Sequence, residues 1–379
     1  MTATLRIVLD HAASAPASDL AEAALELARG LVTTAPAACA VEAVVPGGAV
    51  AYDPADAVPG LAGVTRLALA RRELAAAWQL GMPTGVGGGL IHAPSLLAPL
   101  ARHDRVHDHD QTVVTLWDLD AWERPEELPR TTVVAQRALL KRAARFADAV
   151  VVPTHAAAER LTSFARLGDR VRVIAGAPPE AFRVPNDDVG RRRELGLPEG
   201  FVLLSGSSAP SSRLSDGFSA VVRAGADLPV VVLDAPEGAE PAIAELAAAA
   251  GLPEGRLHVR PFLDPHDRAA VFGAAVAYLA PSTASAFPWR LVEALRLGVP
   301  IVAAASDVYR EIVAEGGLLA DAADSDDGGE RGEALGEALR AALGSTAAAE
   351  RLGVLAGDRG RAFSWAGAAE RVWQLHADL

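Results

Sequence analysis

Short, continuous apolar runs alternate with longer helical patterns along almost the whole chain, and this alternation constrains the fold more than any other feature. Apolar runs without polar alternation are expected of parallel strands that are buried on both faces. The runs lie at 5–10, 41–45, 90–92, 112–116, 149–152, 171–174, 201–205, 230–234, 257–260, 276–280, 301–304 and 317–320. Repeated strand–helix–strand units need right-handed crossovers, so the pattern predicts an α/β protein with doubly wound parallel sheets.

The two halves of the chain repeat this pattern, and 379 residues are enough for two domains. A proline-rich, polar stretch at 175–198 predicts the place where two Rossmann-like domains join. Ligands of open α/β sheets bind at the carboxyl ends of the strands. With two such sheets facing each other, we expect the site in the cleft between them.

Composition excludes several classes of function. Lys and Arg number 35 and Asp and Glu 48, a net charge of −13, which argues against a nucleic-acid partner because a phosphate backbone is held by surplus basic side chains. The single cysteine, Cys39, excludes a disulfide framework, and with no export signal it favours a cytoplasmic protein. No apolar stretch reaches about 18 residues, so no transmembrane segment is predicted.

Two local motifs suggest ligands but have simpler interpretations. The glycine run at 85–89 precedes a strand, whereas a dinucleotide-binding loop follows a strand and opens a helix, so we predict an ordinary loop. Residues 103–110 are rich in His and Asp, which are zinc ligands. No partner ligands with suitable spacing accompany them, so we predict an exposed turn and no metal.

The most specific segment is 281–303. A strand ends at Ala280, a loop follows, and a helix begins near Phe287 or Pro288. Backbone amides at such a helix start suit a diphosphate, and a carboxylate at Glu293 can accept hydrogen bonds from a ribose diol. The residues alone leave an alternative open, which is a plain strand–helix–strand unit with a surface glutamate.

This segment resembles the retaining GT-B glycosyltransferases of the family 4, or group 1, type. They carry Pro-Ser-x-x-Glu-Gly-Phe-Gly-Leu-Pro-x-x-Glu-Ala, followed by Gly-x-Pro-Val-Val-Ala. The identical residues here include Pro281, Ser282, Phe287, Glu293, Ala294, Gly298 and Pro300. The resemblance implies a GT-B fold with two Rossmann-like domains facing a cleft, at 1–180 and 181–364. It also implies that a C-terminal helix at 365–379 crosses back onto the first domain.

The resemblance further implies transfer of a sugar from a nucleotide-diphosphate donor with retention, and no cofactor beyond the donor. Glu293 corresponds to the glutamate that binds the donor ribose, and Ser285 to a carboxylate that contacts the transferred sugar. Trp117 and Asp118 correspond to an acceptor-side His-Asp pair, of which only the Asp remains. We therefore assign catalytic positions to Asp118, Ser285 and Arg290.

The donor-binding pattern also departs from that of the family. Ser211 and Ser212 occupy the positions of two basic residues that contact the donor diphosphate, and Arg213 is the candidate replacement. Arg290 adds a cation where the family has proline. The donor-binding residues expected from the resemblance are Gly206, Ser207, Arg213, Trp289, Leu291 and Glu293.

Two functions remain open at this level. The first is an active cytoplasmic glycosyltransferase that uses a nucleotide-sugar and a glycan, lipid or small-molecule acceptor, with the peripheral contact at the inner membrane face that the resemblance allows. The second is an inactive relative that acts as a binding module or as the partner of an active glycosyltransferase. The replacement of family functional residues by Ser211, Ser212, Ser285 and Trp117 motivates this second function, since losing one preorganised charge partner typically costs about 10²–10³ in rate.

Overall fold

The computed structural model describes residues 3–13, 18–49, 52–321 and 328–379. The chain divides into two compact units, each with its own parallel sheet. Unit 1 comprises Met1–Glu180 and Ser364–Leu379, and unit 2 comprises Ala181–Phe363. The prediction of two doubly wound α/β domains is confirmed, and the division falls within the proline-rich stretch.

Unit 1 contains, within the described ranges, a seven-stranded sheet in the order β3-β2-β1-β4-β5-β6-β7 with every pair parallel. Its strands are β1 (Ala3–Val8), β2 (Cys39–Gly47), β3 (Gly63–Ala70), β4 (Leu90–Ala93), β5 (Gln111–Thr115), β6 (Ala149–Val152) and β7 (Val171–Val173). Its helices are α1 (Asp19–Thr33), α2 (Pro54–Ala57), α3 (Arg71–Leu80), α4 (Asp120–Glu123), α5 (Arg130–Phe146), α6 (His155–Thr162) and the C-terminal α15 (Trp365–Asp378).

Strand β3 is absent from the predicted strands. It lies at the edge of the sheet, and most of its side chains are exposed or half-buried. An edge strand needs no continuous apolar run, because one side of its backbone and part of its surface face water. The central strands β5 and β6 are buried at every position, which is why the sequence shows them as apolar runs.

The C-terminal helix α15 packs on α1 inside unit 1, as the resemblance implied. The indole nitrogen of Trp373 donates to the carbonyl of Leu31 at 3.1 Å. Gly30 lets the two helices approach closely, since a Cβ there would lie 2.8 Å from the carbonyl oxygen of Trp365 and 3.1 Å from the Cβ of Ala369. The missing side chain of one residue therefore sets the distance between α1 and α15.

We expect Gly30→Ala to lower the free energy of unfolding of unit 1 by about 1–3 kcal/mol, because the added methyl overpacks this contact. Gly190→Ala is the matched control: Gly190 is also helical, but no atom lies within 4 Å of the added Cβ. That control should gain up to about 1 kcal/mol from helix propensity. Urea denaturation of both variants tests this, and equal effects would contradict the packing argument.

Unit 2 contains, in its described part, a six-stranded parallel sheet in the order β10-β9-β8-β11-β12-β13. Its strands are β8 (Phe201–Ser205), β9 (Val230–Leu233), β10 (Leu257–Val259), β11 (Ala275–Ala280), β12 (Ile301–Ala304) and β13 (Leu318–Ala320). Its helices are α7 (Asp188–Glu194), α8 (Leu214–Ala224), α9 (Glu240–Ala249), α10 (Pro265–Ala274), α11 (Trp289–Leu297), α12 (Asp307–Val313), α13 (Gly328–Leu343) and α14 (Thr346–Gly360).

Helices cover the sheet of unit 2 and bury its apolar strands. Phe218 of α8 and Leu339 of α13 join Val202 and Leu204 of β8 in one core cluster. The same core excludes water from the strand backbones and fixes the loops at their carboxyl ends. Among the described residues, no helix combines the length and the apolar character that crossing a bilayer requires.

Candidate active site

Unit 2 brings together two loops: one carries three of the predicted donor residues, and the other leads into helix α11, which carries the remaining three. β8 and β11 are neighbours, and the strand order runs away from them in opposite directions, which defines the switch point where open α/β sheets bind ligands. The loop after β8 and the loop after β11 meet there. The Ser282 hydroxyl donates to the Ser211 carbonyl at 2.7 Å, and the half-buried Ser285 lies in the same second loop.

The first loop, 206–213, is closed by its own serines. Gly206 has φ +136°, and a Cβ there would lie 2.9 Å from the side chain of Ser212. The backbone N–H of Ser207 donates to the Ser212 hydroxyl at 3.0 Å. Ser212 therefore shapes the loop that begins with Gly206, a role different from that of a basic phosphate ligand.

Arg213 ends this loop and precedes α8. Its backbone is left-handed at φ +50°, and α8 has no side-chain N-cap hydrogen bond. Its guanidinium is partly exposed, and its Nη1 lies 3.9 Å from Oδ2 of Asp216, so the ion pair is loose. The structure thus places a weakly held cation at a helix start on the switch-point side of the sheet.

The second loop leads into α11, whose N-cap position is Pro288 and which also lacks a side-chain cap. Trp289 packs edge-on against Phe287 with ring centroids 4.6 Å apart. The amide of Leu291, expected beside the diphosphate, donates instead to the Pro288 carbonyl at 3.0 Å, and the Leu291 side chain is fully buried. Leu291 is therefore part of the helix and its packing.

Glu293 and Arg290 belong to a buried ionic network. Oε1 of Glu293 lies 2.8 Å from Nη2 of Arg268 and 3.0 Å from Nη1 of Arg290. Arg290 also donates to Asp234 at 2.8 and 3.2 Å. Arg268 is fully buried and Glu293 is 2% exposed. The alternative of a surface glutamate is therefore wrong.

One oxygen of this network has no partner of its own. Oε2 of Glu293 is buried and accepts no hydrogen bond from any residue that the structure describes. Leaving a buried carboxylate oxygen unsatisfied is costly, so such an atom in a native protein calls for an explanation. A ligand hydroxyl that donates to Oε2 is an explanation that fits the position of Glu293 next to the switch point.

Asp234 and Arg268 are functional candidates that the sequence did not indicate. Asp234 follows β9 and has a left-handed backbone at φ +64°, and Arg268 lies in α10. Neither stands in a motif, because their partners are 56 and 25 residues away. The local signal is a charged residue inside an otherwise buried segment, which sequence alone does not distinguish from an exposed one.

In unit 1, Asp118 follows β5 and accepts a hydrogen bond from the Asp120 amide at 3.2 Å. Burial raises the pKa of Asp118, and burial together with the Asp118 charge raises the pKa of Asp120 to about 6. Arg124 pairs with Asp120. Carboxyls that titrate near neutrality are typical of general acids and bases, and Asp120 was not among the predicted residues.

Trp117, which occupies the histidine position of the family motif, has a packing role. Its side chain is buried, its Nε1 donates to the Pro94 carbonyl at 3.0 Å, and its ring meets Trp365 edge-on at 6.2 Å. The indole therefore fastens the end of β5 to the C-terminal helix.

The His- and Asp-rich stretch 103–110 forms local pairs. Nδ1 of His107 lies 2.9 Å from Asp104, and Nε2 of His103 lies 2.8 Å from Asp148 of the neighbouring strand end. Within the described ranges no group of three or more His, Cys, Asp or Glu side chains is arranged to hold a metal ion.

Comparison with known proteins agrees with this architecture. Residues 212–341 match the family model for glycosyl transferases group 1. Sucrose-phosphate synthase from Thermosynechococcus elongatus is 19% identical with a TM-score of 0.70, over 99% of this chain and 98% of that one. HepE from Anabaena, solved with UDP and glucose, is 18% identical with a TM-score of 0.69 over the full length of both chains.

WaaG, a glycosyltransferase involved in lipopolysaccharide biosynthesis, is 15% identical with a TM-score of 0.62, over 97% of this chain and 98% of that one. No curated protein sequence matches the chain significantly. The likeness to these structures shows a GT-B fold. The matched segment 212–341 lies in unit 2, and the resemblance seen in the sequence is confirmed at the level of this fold and of the group 1 glycosyl transferase match.

Proposed function

We propose that the chain binds a nucleotide-diphosphate sugar at the β8–β11 switch point of unit 2 and transfers the sugar to a glycan, lipid or small-molecule acceptor with retention. The observation that carries the proposal is the free buried acceptor on Glu293, set beside two loops that end at uncapped helix starts. Helix starts favour anions, and a carboxylate oxygen accepts from a ribose hydroxyl.

In this proposal each residue of the site has its own role. Glu293 accepts from the ribose through Oε2, since Oε1 is held by Arg268 and Arg290. Arg213, at the end of the Gly206–Ser207 loop, contacts the diphosphate and stabilises the charge that develops on it as the sugar leaves. Ser285 and Trp289 border the sugar end of the donor, and Asp118 of unit 1 orients the acceptor.

UDP is the first nucleotide to test. Two further structures of HepE contain UDP and UDP-glucose, and they match this chain with TM-scores of 0.66 and 0.67. Calorimetric titration with UDP, GDP and ADP should find one base that binds with micromolar affinity.

Arg213→Gln should weaken that binding about tenfold or more, as expected for a lost hydrogen bond between charged groups. Arg193→Gln is the matched control, because Arg193 is an exposed arginine of α7 in the same unit. Absence of binding to every base by folded protein, or an unchanged affinity in Arg213→Gln, would contradict the proposal.

A non-catalytic nucleotide-binding module is the second candidate. The observation favouring it concerns the cations expected at the donor site. Ser212 stands where the family has a basic residue and closes its own loop, and Arg290 is already paired with Asp234 and Glu293. Such a protein would bind nucleotide without releasing the sugar. UDP release from UDP-glucose, measured with an acceptor panel, separates the two, since turnover excludes the module and nucleotide binding without turnover supports it.

A further inference from the structure

Unit 1 contains a cavity of about 810 Å³ at the amino ends of β5, β6 and β7. This edge is opposite to the carboxyl ends, where ligands of such sheets usually bind. The volume lies within the range of about 300–1,000 Å³ that small-molecule sites occupy. Its basic lining comprises Arg102, His103, Arg105, Arg145, Arg170 and Arg172.

Most of these arginines lie in no close ion pair with a described residue, although the charge of Arg105 acts on Asp148 and that of Arg102 on Asp104 at longer distance. Among the residues that the structure describes, Arg102, Arg105, Arg145 and Arg172 lie in no ion pair within 4.0 Å. Three side-chain carboxylates also line the cavity, those of Asp148, Asp169 and Asp378, and Leu379, the last residue of the sequence, lies beside them. Asp148 is already bound by His103 and by the Thr112 amide, at 2.8 Å each. The cavity is therefore cationic, in a chain whose net charge is −13.

Helix capping accounts for only one of the arginines. Helix α5 ends at this cavity, and basic side chains stabilise such an end. Arg170 does this, since its two Nη atoms donate to the carbonyls of Ala144 and Ala147 at 2.7 Å. Arg172 bonds to the carbonyls of Asp169 and Val171 beside it in the chain, and Arg145 lies over the Phe146 ring. Arg102 and Arg105 make no such contact.

Clustered guanidinium groups repel one another, and a bound polyanion removes that cost. The planar guanidinium fork matches phosphate oxygens in pairs, which makes arginine the usual residue for this ligand. We propose that this cavity is a second ligand site, which binds a small phosphate compound of diphosphate type, with Arg102 and Arg105 as its principal contacts. It is independent of the proposed donor site, which belongs to unit 2.

The test uses the full chain and inorganic pyrophosphate as the probe. Calorimetric titration at about 50 mM and about 200 mM salt should show binding that weakens as salt screens the charges. Arg102→Gln with Arg105→Gln should weaken it about tenfold or more. Arg72→Gln with Arg166→Gln is the matched control, because it removes two exposed arginines of unit 1 outside the cavity, and its affinity should stay within twofold of wild type.

Pyrophosphate can also enter the proposed donor site, so Arg213→Gln is titrated in parallel. Unchanged affinity there, with the loss in the Arg102/Arg105 variant, places the ligand in the cavity. The reverse result, an equal loss in the control, or no binding at all overturns the proposal. The His103 ring resonance supplies a second readout by NMR: it should shift on titration in wild type and not in the Arg102/Arg105 variant, and absence of the wild-type shift counts against the site.

Discussion

Replacing Glu293 with glutamine should lower the free energy of unfolding of unit 2 by about 3–5 kcal/mol, the usual cost of breaking a buried ion pair. The reason is the fully buried Arg268, whose Nε and Nη2 both donate to Oε1 of Glu293, at 3.1 and 2.8 Å. The neutral amide removes the negative charge against which the buried guanidinium of Arg268 is held. Arg290 loses its ion pair with Glu293 in the same step and keeps the one with Asp234.

Native-state hydrogen exchange of the β8 and β11 peptides measures this loss within unit 2. Glu315→Gln is the control, because Glu315 is an exposed glutamate of the same unit. Adding Arg268→Met to Glu293→Gln should recover part of the stability, since the buried positive charge is then removed together with the negative one. A loss below about 1 kcal/mol, or no recovery in the double variant, would show that the Arg268–Glu293 pair does not support the fold of unit 2.

The same network bears on any test of nucleotide binding. A Glu293 variant that fails to bind UDP has lost both a proposed ribose acceptor and a structural ion pair. The folded fraction must therefore be measured in each titration. A folded Glu293→Gln protein with unchanged UDP affinity would remove Glu293 from the proposed site while leaving its structural role intact.

Acidification should weaken the contact of two buried histidines in unit 1. The raised pKa of Asp120 acts in the opposite direction, so the histidine effect is the part of the pH dependence that a histidine substitution removes. The rings of His92 and His376 lie 5.7 Å apart, and His376 bonds Gln111 through Nδ1 at 2.8 Å. Burial lowers the pKa of His92 well below 6.5 and that of His376 to about 4, although the charge of Asp148 acts in the opposite direction on His376. Both histidines are therefore neutral in the folded protein at pH 7.

The sign follows from proton linkage. Between about pH 6.5 and pH 4 the unfolded chain binds more protons than the folded chain at these histidines, so their contribution to stability is full above pH 6.5 and is lost as the pH drops. His376 alone contributes about 3 kcal/mol of this loss by pH 4, at about 1.4 kcal/mol for each unit of pKa. The loss of stability is expected at the contact between α15 and β5, which His376 and Gln111 form.

Hydrogen exchange of α15 and β5 at several pH values between 7 and about 4.5 tests the window, since it follows unit 1 directly. His376→Gln should flatten the slope of stability against pH, whatever it does to stability at pH 7. His107→Gln should leave the slope unchanged, because that side chain is 80% exposed. The histidine explanation fails if wild type and His376→Gln lose stability in parallel.

Part of the candidate site can be predicted from the amino-acid sequence. The stretch 276–304 predicts a strand, a loop, a helix with Glu293 on it and a second strand, and the structure has β11, α11 and β12 there. The resemblance also singles out Gly206, and the structure places it at the start of the loop after β8 with a positive φ. Asp120 was missed because its raised pKa arises from burial and from the charge of Asp118, and the local pattern encodes neither that burial nor the distance between the two carboxyls.

The sequence by itself determined the two doubly wound sheets, because burial on both faces imposes continuous apolar runs that local periodicity reveals. Only the tertiary structure decided which charges meet. Arg290 meets Asp234, Glu293 meets Arg268, and the arginines of three successive strand ends line one cavity. The physical reason is that the order of strands in a sheet brings together loops that are distant in the chain, and electrostatic pairing depends on that distance in space.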